Sequence, residues 1–419
     1  MKTFDYSRIK SFANALLGRK DLPIPEIETP SEPFLYCIDS PQSQSAISPA
    51  FVIISGWIVG NESSPIEDVI LCNETDDVFP LTRVDRPDVQ SAYPNRTAVG
   101  FQGFLLTGQL TLGTAWFIQF WMDEELYRFP IELFVSGELC EEFAHQKQAK
   151  LAKIRPILQC PVCGSDRLEE QNSLLSCSHC GSEFQISSNH YNFLNEQLTD
   201  YGKVTSTASI SANSYDPISL KLIEQLSSGL ILDNGCGLRS IYYPNVVNLE
   251  IVDYPTTDVV SIGEKLPFKS NVFDAVFSLV VLEHVKNPFE CAKEITRVLK
   301  PGGTLYAAVP FLQPFHGYPD HYYNMTSSGL KNLFSELEAL ECTVELPGLP
   351  IAALTWFLNS YVRGLPQPIA EQFKEMKIGD LLAHPDSYLN QDFVTSLHPK
   401  TNEELASCNY LIARKPDPS

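Results

Sequence analysis

The chain has 419 residues, 44% of them hydrophobic and 19% charged; at roughly 150 residues per domain this length predicts two or three domains with cores of their own. That balance excludes wholesale disorder, and 30 Pro and 22 Gly spread along the chain exclude a collagen-like or low-complexity build. Lys and Arg number 30 against 51 Asp and Glu, a net charge of −21 that repels phosphate backbones and anionic headgroups, so nucleic acid is disfavoured as a partner.

The first 30 residues are polar and interrupted, without the apolar run of a signal peptide. No stretch reaches about 18 uninterrupted apolar residues, the length a membrane span requires. Together with single, scattered cysteines (Cys37, Cys72, Cys140, Cys236, Cys291, Cys342 and Cys408), which read as buried thiols in a reducing compartment, this predicts a cytoplasmic protein without a membrane span. Nothing in the pattern sets an oligomeric state.

Residues 31–136 carry short segments rich in β-branched and aromatic residues, among them FVIISGWIV, GFQGFLL and TAWFIQFWM, separated by Pro, Asn, Asp and Gly. Such spacing predicts an antiparallel sandwich. Around GWIVG, RVDRPDVQSAYP and VGFQGFLL the segment resembles a β-sandwich module found beside glycosyltransferases and methyltransferases of bacterial polysaccharide gene sets. Residues 137–156, with helix formers and charges of both signs, predict a connecting helix.

Residues 157–195 hold Cys160-Pro-Val-Cys163 and Cys177-Ser-His-Cys180, each pair followed by glycine (Gly164, Gly181). Two such knuckles let four thiolates converge tetrahedrally, which predicts a zinc ribbon. A thioredoxin-like pair would open a helix inside a βαβ unit, and that context is missing. Four thiolates leave no position for water, so the expected Zn2+ is structural, with His179 outside the ligand set.

From Ser214 onward, strand and helix patterns alternate. Asp216-Pro217 starts a helix as N-cap and first residue; LILDNG, VVNLEIV, TDVVSI, FDAVFSLVV, TLYAAVP, CTVEL and NYLIAR read as strands, with helices at Pro288–Leu299 and Ser327–Leu340. The predicted fold class for 205–416 is α/β, a mainly parallel Rossmann-like sheet with helices on both faces. Only Ile251 to Thr257 separate the second and third strands, too few for a crossover helix, so one face of the sheet is expected to be open or rebuilt. An insertion at about 348–404 contains the apolar segment from Ile351 to Val362, read as a lid over an acceptor site, as a contact between copies or as added core.

The strand ILDN runs into Gly235-Cys236-Gly237, a turn where bare backbone can approach a ligand. A dinucleotide fingerprint needs glycine where Ser240 stands, which disfavours NAD. In order, ILDNGCG, Glu250 at the end of the second strand, LPF at 266–268, FDAVFSLVVLEHV at 273–285 and RVLKPGGTLYAAVP at 297–310 resemble class I S-adenosylmethionine-dependent methyltransferases of the type-11 group. The resemblance implies S-adenosylmethionine as cofactor. It implies that Asp233, Gly235, Cys236 and Gly237 line the methionine moiety, that Glu250 binds the ribose hydroxyls with Asp253 as fallback, and that Gly263, Glu264 and Leu279 border the rest of the ligand. Two positions depart from the family: Arg239 replaces the third glycine, either reaching the methionine carboxylate or lying exposed, and Ile262 stands where relatives carry Asp.

Methyl transfer to a hydroxyl calls for an aligned acceptor and a base. Two groups of candidates lie after the fourth and fifth strands: Glu283-His284, and a loop with His316, Asp320 and His321. Quinone and related O-methyltransferases carry Glu-x-x-Glu-His at the first place, a pattern that can hold a metal; here position 280 is valine, which disfavours a metal. The expected catalytic residues are His316 as general base, His284 and Asp320. The expected function is O-methylation of a sugar, glycan precursor or related small molecule. An RNA or protein methyltransferase using the ribbon as a clamp, and a binding protein that holds S-adenosylmethionine without turnover, are the alternatives.

Overall fold

The structure is a computed structural model; it describes residues 34–409 except 42–50, 61–64, 75–76, 107–114, 124, 134–136, 172, 188, 205–213, 240, 318–319 and 345–347. The N-terminal segment 1–30 and the expected strand NYLIAR, beyond its first residue, lie outside the described residues.

Eight strands form the first module: β1 Leu35–Ser40, β2 Phe51–Val59, β3 Ile66–Asn73, β4 Val78–Pro80, β5 Thr82–Val84, β6 Ala98–Leu106, β7 Trp116–Met122 and β8 Glu125–Ile131, with helix α1 at Pro87–Ala92. They pair antiparallel in two four-stranded sheets, ordered β1-β2-β6-β5 and β4-β3-β7-β8. Ile54 and Ile58 from one sheet and Leu71, Ile118 and Phe120 from the other are completely buried in one cluster. Their period of two along each strand is what places them on one face. On β7 it is Trp116, Ile118, Phe120 and Met122 that point inward, while Trp121 is exposed, so this strand has one buried face.

Helix α2, Gly137–Ile154, leads into a nine-stranded sheet. Its strands are β9 Leu168–Gln171, β10 Leu174–Cys177, β11 Glu183–Ile186, β12 Tyr191–Asn192, β13 Ile231–Asn234, β14 Val246–Glu250, β15 Val259–Val260, β16 Phe273–Leu279 and β17 Leu299–Ala308, in the order β17-β16-β13-β14-β15-β12-β11-β10-β9. Strands β13 to β17 are parallel, and β12 joins β15 in parallel at Tyr191↔Val259. The cysteine ribbon thereby extends the α/β sheet. One apolar cluster accordingly runs from Leu175 and Phe184 of the ribbon to Val276 and Ile295.

Helices α3 Glu196–Gly202, α4 Pro217–Gln225 and α5 Pro288–Val298 follow their caps: Asn195, Asp216 and Asn287 each accept a hydrogen bond from a first-turn amide. Between β14 and β15 the chain makes only turns. The sheet face left bare there is covered by α2. Leu151 and Ile154 join the core beside Val247, Leu249 and Val259, and Lys147 and Lys150, buried on the same helix, reach Asp258. The expected connector is thus a core helix standing in for the absent crossover.

Helix α6 covers Ser327–Leu333, shorter than expected, and residues 342–344 of CTVEL are exposed and form no strand. The insertion folds as α7 Pro350–Arg363, α8 Gln367–Lys374 and short turns around Leu365, Phe373 and Leu397. Cys342 and Cys408 are exposed and Cys37 is half-buried, against the expectation of buried thiols. Among the described residues no helix is long and apolar enough to cross a membrane.

Candidate functional site

β13 pairs with β14 on one side and β16 on the other, so the strand order reverses at β13, and ligands of open α/β sheets bind outside the C-terminal strand ends at such a switch point. The glycine turn lies there. Gly235 has φ +77° and Gly237 φ +61°, left-handed backbone that glycine adopts without strain. A Cβ on Gly235 would stand 2.6 Å from Val281 Cγ2, so the turn also needs the bare backbone for contact with the segment after β16.

Glu250, at the end of β14, clamps this turn: its Oε2 accepts from the Gly237 amide and its Oε1 from the Ile251 amide, both at 2.8 Å. Burial pushes its carboxyl upward, and the two amides partly offset that. Asp233 is fully buried; its Oδ2 accepts from the Tyr215 hydroxyl at 2.6 Å and from Arg239 Nε at 2.9 Å, while Oδ1 has no hydrogen-bond partner. Arg239 folds back under the turn, its guanidinium 4.1 Å from the Tyr215 ring centre, so it is neither exposed nor extended outward. Cys236 is buried, and burial raises its thiol well above the usual range, which makes it packing and not a nucleophile.

Gly263 packs on Cys291, where an added Cβ would meet Sγ at 2.8 Å. Glu264 is buried, which raises its carboxyl, and Leu279 is half-buried at the end of β16. Ile262 is buried in the core. The fallback Asp253 instead faces the ribbon, 3.0 Å from His190 Nδ1.

The second group gathers just beyond β16 and β17. Glu283 is completely buried, and neither carboxylate oxygen has a hydrogen-bond partner. His284 Nε2 lies 3.7 Å and His316 Nε2 3.9 Å from Glu283 Oε1. His284 Nδ1 donates to the Asp320 carbonyl at 2.7 Å and His316 Nδ1 to the Pro314 carbonyl at 2.8 Å. Asp320 thus meets His284 through its backbone carbonyl, while its carboxylate accepts from the Tyr322 hydroxyl. His321, 4.3 Å from His316 between ring centres, accepts from the His316 amide at Nδ1 and donates to Asn324 at Nε2. Burial, then the neighbouring His316, push His321 below the usual imidazole range. From α7, Trp356 packs on His316 with ring centres 5.2 Å apart.

The four sequence-predicted cysteines also converge. The Cys160 and Cys180 sulfurs are 3.7 Å apart, as are those of Cys163 and Cys177, and all four lie within 4.8 Å of one another. Gly164 and Gly181 take φ +73° and +75° beneath them. The donor set and spacing fit one tetrahedral zinc ion.

Sequence reasoning missed Tyr215, Arg239 in its folded-back role, and Glu283 as the centre of the histidine group. For Glu283 a signal existed in its neighbour His284; the partner His316 arrives from another loop.

A family model described as a methyltransferase domain matches residues 244–307. Over that span the chain is similar to a methyltransferase domain. Over 38 residues it is 53% identical to cycloartenol-C-24-methyltransferase 1 of Oryza sativa subsp. japonica, covering 9% of this chain and 11% of that protein. Over 101 residues it is 35% identical to an uncharacterized protein of Methanocaldococcus jannaschii, covering 22% of this chain and 44% of the relative. The chain therefore spans less than half the length of the curated relatives it matches. Among solved structures, a methyltransferase of Thermotoga maritima, titled a possible histamine N-methyltransferase, is 18% identical and covers 27% of this chain and 67% of that one. A phosphoethanolamine N-methyltransferase of Haemonchus contortus is 14% identical and covers 83% and 66%. Both superpose at a TM-score of 0.21, so the Rossmann-like core rests on the strand order and not on these two likenesses.

Proposed function

We propose that this protein transfers the methyl group of S-adenosylmethionine to a hydroxyl of a sugar, glycan precursor or related small molecule in the cytoplasm, with the two-sheet module, the cysteine ribbon and the α/β domain as three units of one enzyme. The observation that carries the reading is the meeting of two groups at one switch point: the glycine turn clamped by Glu250, and the Glu283, His284 and His316 cluster after β16 and β17. The turn fits the cofactor. Its left-handed glycines expose backbone to a close ligand, and Asp233 Oδ1, without a partner, offers an acceptor for an amino group.

When bound, the cofactor supplies an electrophilic methyl on a positively charged sulfur. This chain's residues do the rest: Glu250 and the turn fix the ligand's position, Val281 closes the turn from the β16 side, and the histidine cluster receives the acceptor hydroxyl and accepts its proton as the oxygen takes the methyl. No disulfide joins the described cysteines, in keeping with a reducing compartment.

Titration calorimetry with S-adenosylmethionine and its demethylated product, followed by a screen of nucleotide sugars and glycans with a labelled methyl donor, tests the reading. Binding of both and label on a hydroxyl acceptor is expected. Absence of binding would overturn it, and binding without any transfer would leave a carrier of the cofactor in its place.

A further inference from the structure

Two histidines and one buried carboxylate converge beyond β16 and β17. The Nδ1 atoms of His284 and His316 face backbone carbonyls, which only accept, so each Nδ1 carries a proton and each Nε2 is turned toward Glu283; the His316 Nε2 is buried without a hydrogen-bond partner. Glu283 is acceptor-only when ionised, completely buried, and without a hydrogen bond to either oxygen. Its ion-pair neighbours among the described residues are these two histidines alone, and neither Lys nor Arg is among them. Leaving such a carboxylate buried and uncompensated is costly. Something positive belongs between these atoms.

We infer that Glu283, His284 and His316 bind one divalent first-row transition cation. The three donor atoms lie within 4.8 Å of one another, and a modest inward closure brings them to the roughly 2.0–2.2 Å that zinc–nitrogen and zinc–oxygen bonds require. The Nδ1-to-carbonyl bonds are the outer-shell device that fixes metal-ligating histidines in the correct tautomer. His321 sets the contrast: both its nitrogens are engaged, with the His316 amide and with Asn324, so it packs on the cluster without joining it. Two imidazoles select zinc, iron, nickel or copper over magnesium or calcium. Three protein donors leave positions for a ligand oxygen, unlike the four-cysteine site. A cation here lowers the pKa of a hydroxyl bound to it, so His316 serves as ligand and the cation takes over the acidifying role expected of a base.

The inference stands apart from methyl transfer, since it concerns occupancy of the cluster. The full chain is stripped with a chelator under reducing conditions, reloaded with Zn2+ or Co2+, and its bound metal measured by mass spectrometry. Two equivalents are expected, one for each of the two clusters; Glu283→Gln and His316→Gln should each retain one. The Co2+ form should show thiolate charge-transfer bands from the cysteine site in every variant, which also reports that the variants are folded, while a weaker visible band disappears from Glu283→Gln. One equivalent in the unmodified chain, confined to the cysteines, would overturn the inference and leave a proton as the charge shared by Glu283 and the histidines. Cofactor binding measured on the same samples reports separately on the methyltransferase reading.

Discussion

Lys150 and Asp258, 108 positions apart in the chain, form an ion pair at 3.1 Å that is fully shielded from water. Lys147 completes it from one turn earlier at 3.3 Å, donating also to the Thr257 carbonyl, and the Tyr242 hydroxyl donates to the same carboxylate. Burial pushes the Lys150 ammonium down to about 8, against the pull of Asp258; it is therefore still charged at neutral pH. Asp258→Asn removes one negative charge facing two buried positive ones, and breaking a buried pair in this way costs about 3–5 kcal/mol. Urea denaturation of the variant should show that loss, and a loss below about 1 kcal/mol would mean that water reaches the lysines.

The same group governs acid stability. Burial alone would raise Asp258, but Lys150, Lys147, the Asn248 amide and Tyr242 together hold it below the usual carboxylate range. A depressed folded-state value contributes stability that is complete above the unfolded value of about 3.9 and disappears as pH falls through the folded one. The melting temperature of the native chain should therefore fall below about pH 4, and its slope there should flatten in Asp258→Asn.

Gly235→Ala forces a side chain into left-handed backbone and into Val281. Strain of this kind costs roughly 1–3 kcal/mol. Because the displaced atoms belong to the turn itself, calorimetry should show the affinity for S-adenosylmethionine falling at least tenfold, with secondary structure unchanged by circular dichroism.

His316→Ala and Glu283→Gln both act on the point where the acceptor loses its proton. Each should lower kcat by about 10²- to 10⁴-fold, the usual worth of assisted proton transfer, while the cofactor dissociation constant stays as it was. Asp320→Asn should leave kcat near its starting value, since only the backbone carbonyl of Asp320 meets His284.

Trp356, delivered by the insertion, rests on His316. Trp356→Ala should raise the acceptor KM by roughly two- to tenfold, in line with the worth of one aromatic contact, and spare cofactor affinity. An unchanged KM would make α7 added core and not a wall of the acceptor site.

Much of this arrangement is written locally. The caps Asp216 and Asn287, the glycine turn after β13 and the paired cysteine knuckles depend on residues within a few positions of one another, and their spacing exposes them in the sequence. What escaped depends on distance. The replacement of a crossover helix by α2 requires Lys147 and Lys150 to find Asp258, and two lysines in a run of mixed charge read as solvent-facing. The link between Glu283 and His316 joins two loops that only the sheet brings together, so valine at position 280 argued against a metal while a substitute donor waited after the next strand. CTVEL has the composition of a strand, but its described residues are exposed and pair with nothing regular. The side chain of Asp320 turned outward for a reason no spacing reveals: its neighbour Tyr322 holds it.

In most α/β sheets each helix is synthesised directly after the strand it covers, so a face is sealed as soon as it is made. Here the order is inverted for one face: α2 leaves the ribosome about a hundred residues before Val259 and Asp258, the positions it must cover and pair with, exist. Until then its two lysines have no counter-charge, and β12 has no β15 to join. Closure over so long a span is slow. The ribbon, the helix and the catalytic sheet are therefore completed in one late step, and the methyltransferase half is no free-standing cassette that could be cut out at residue 205 and keep its sheet sealed.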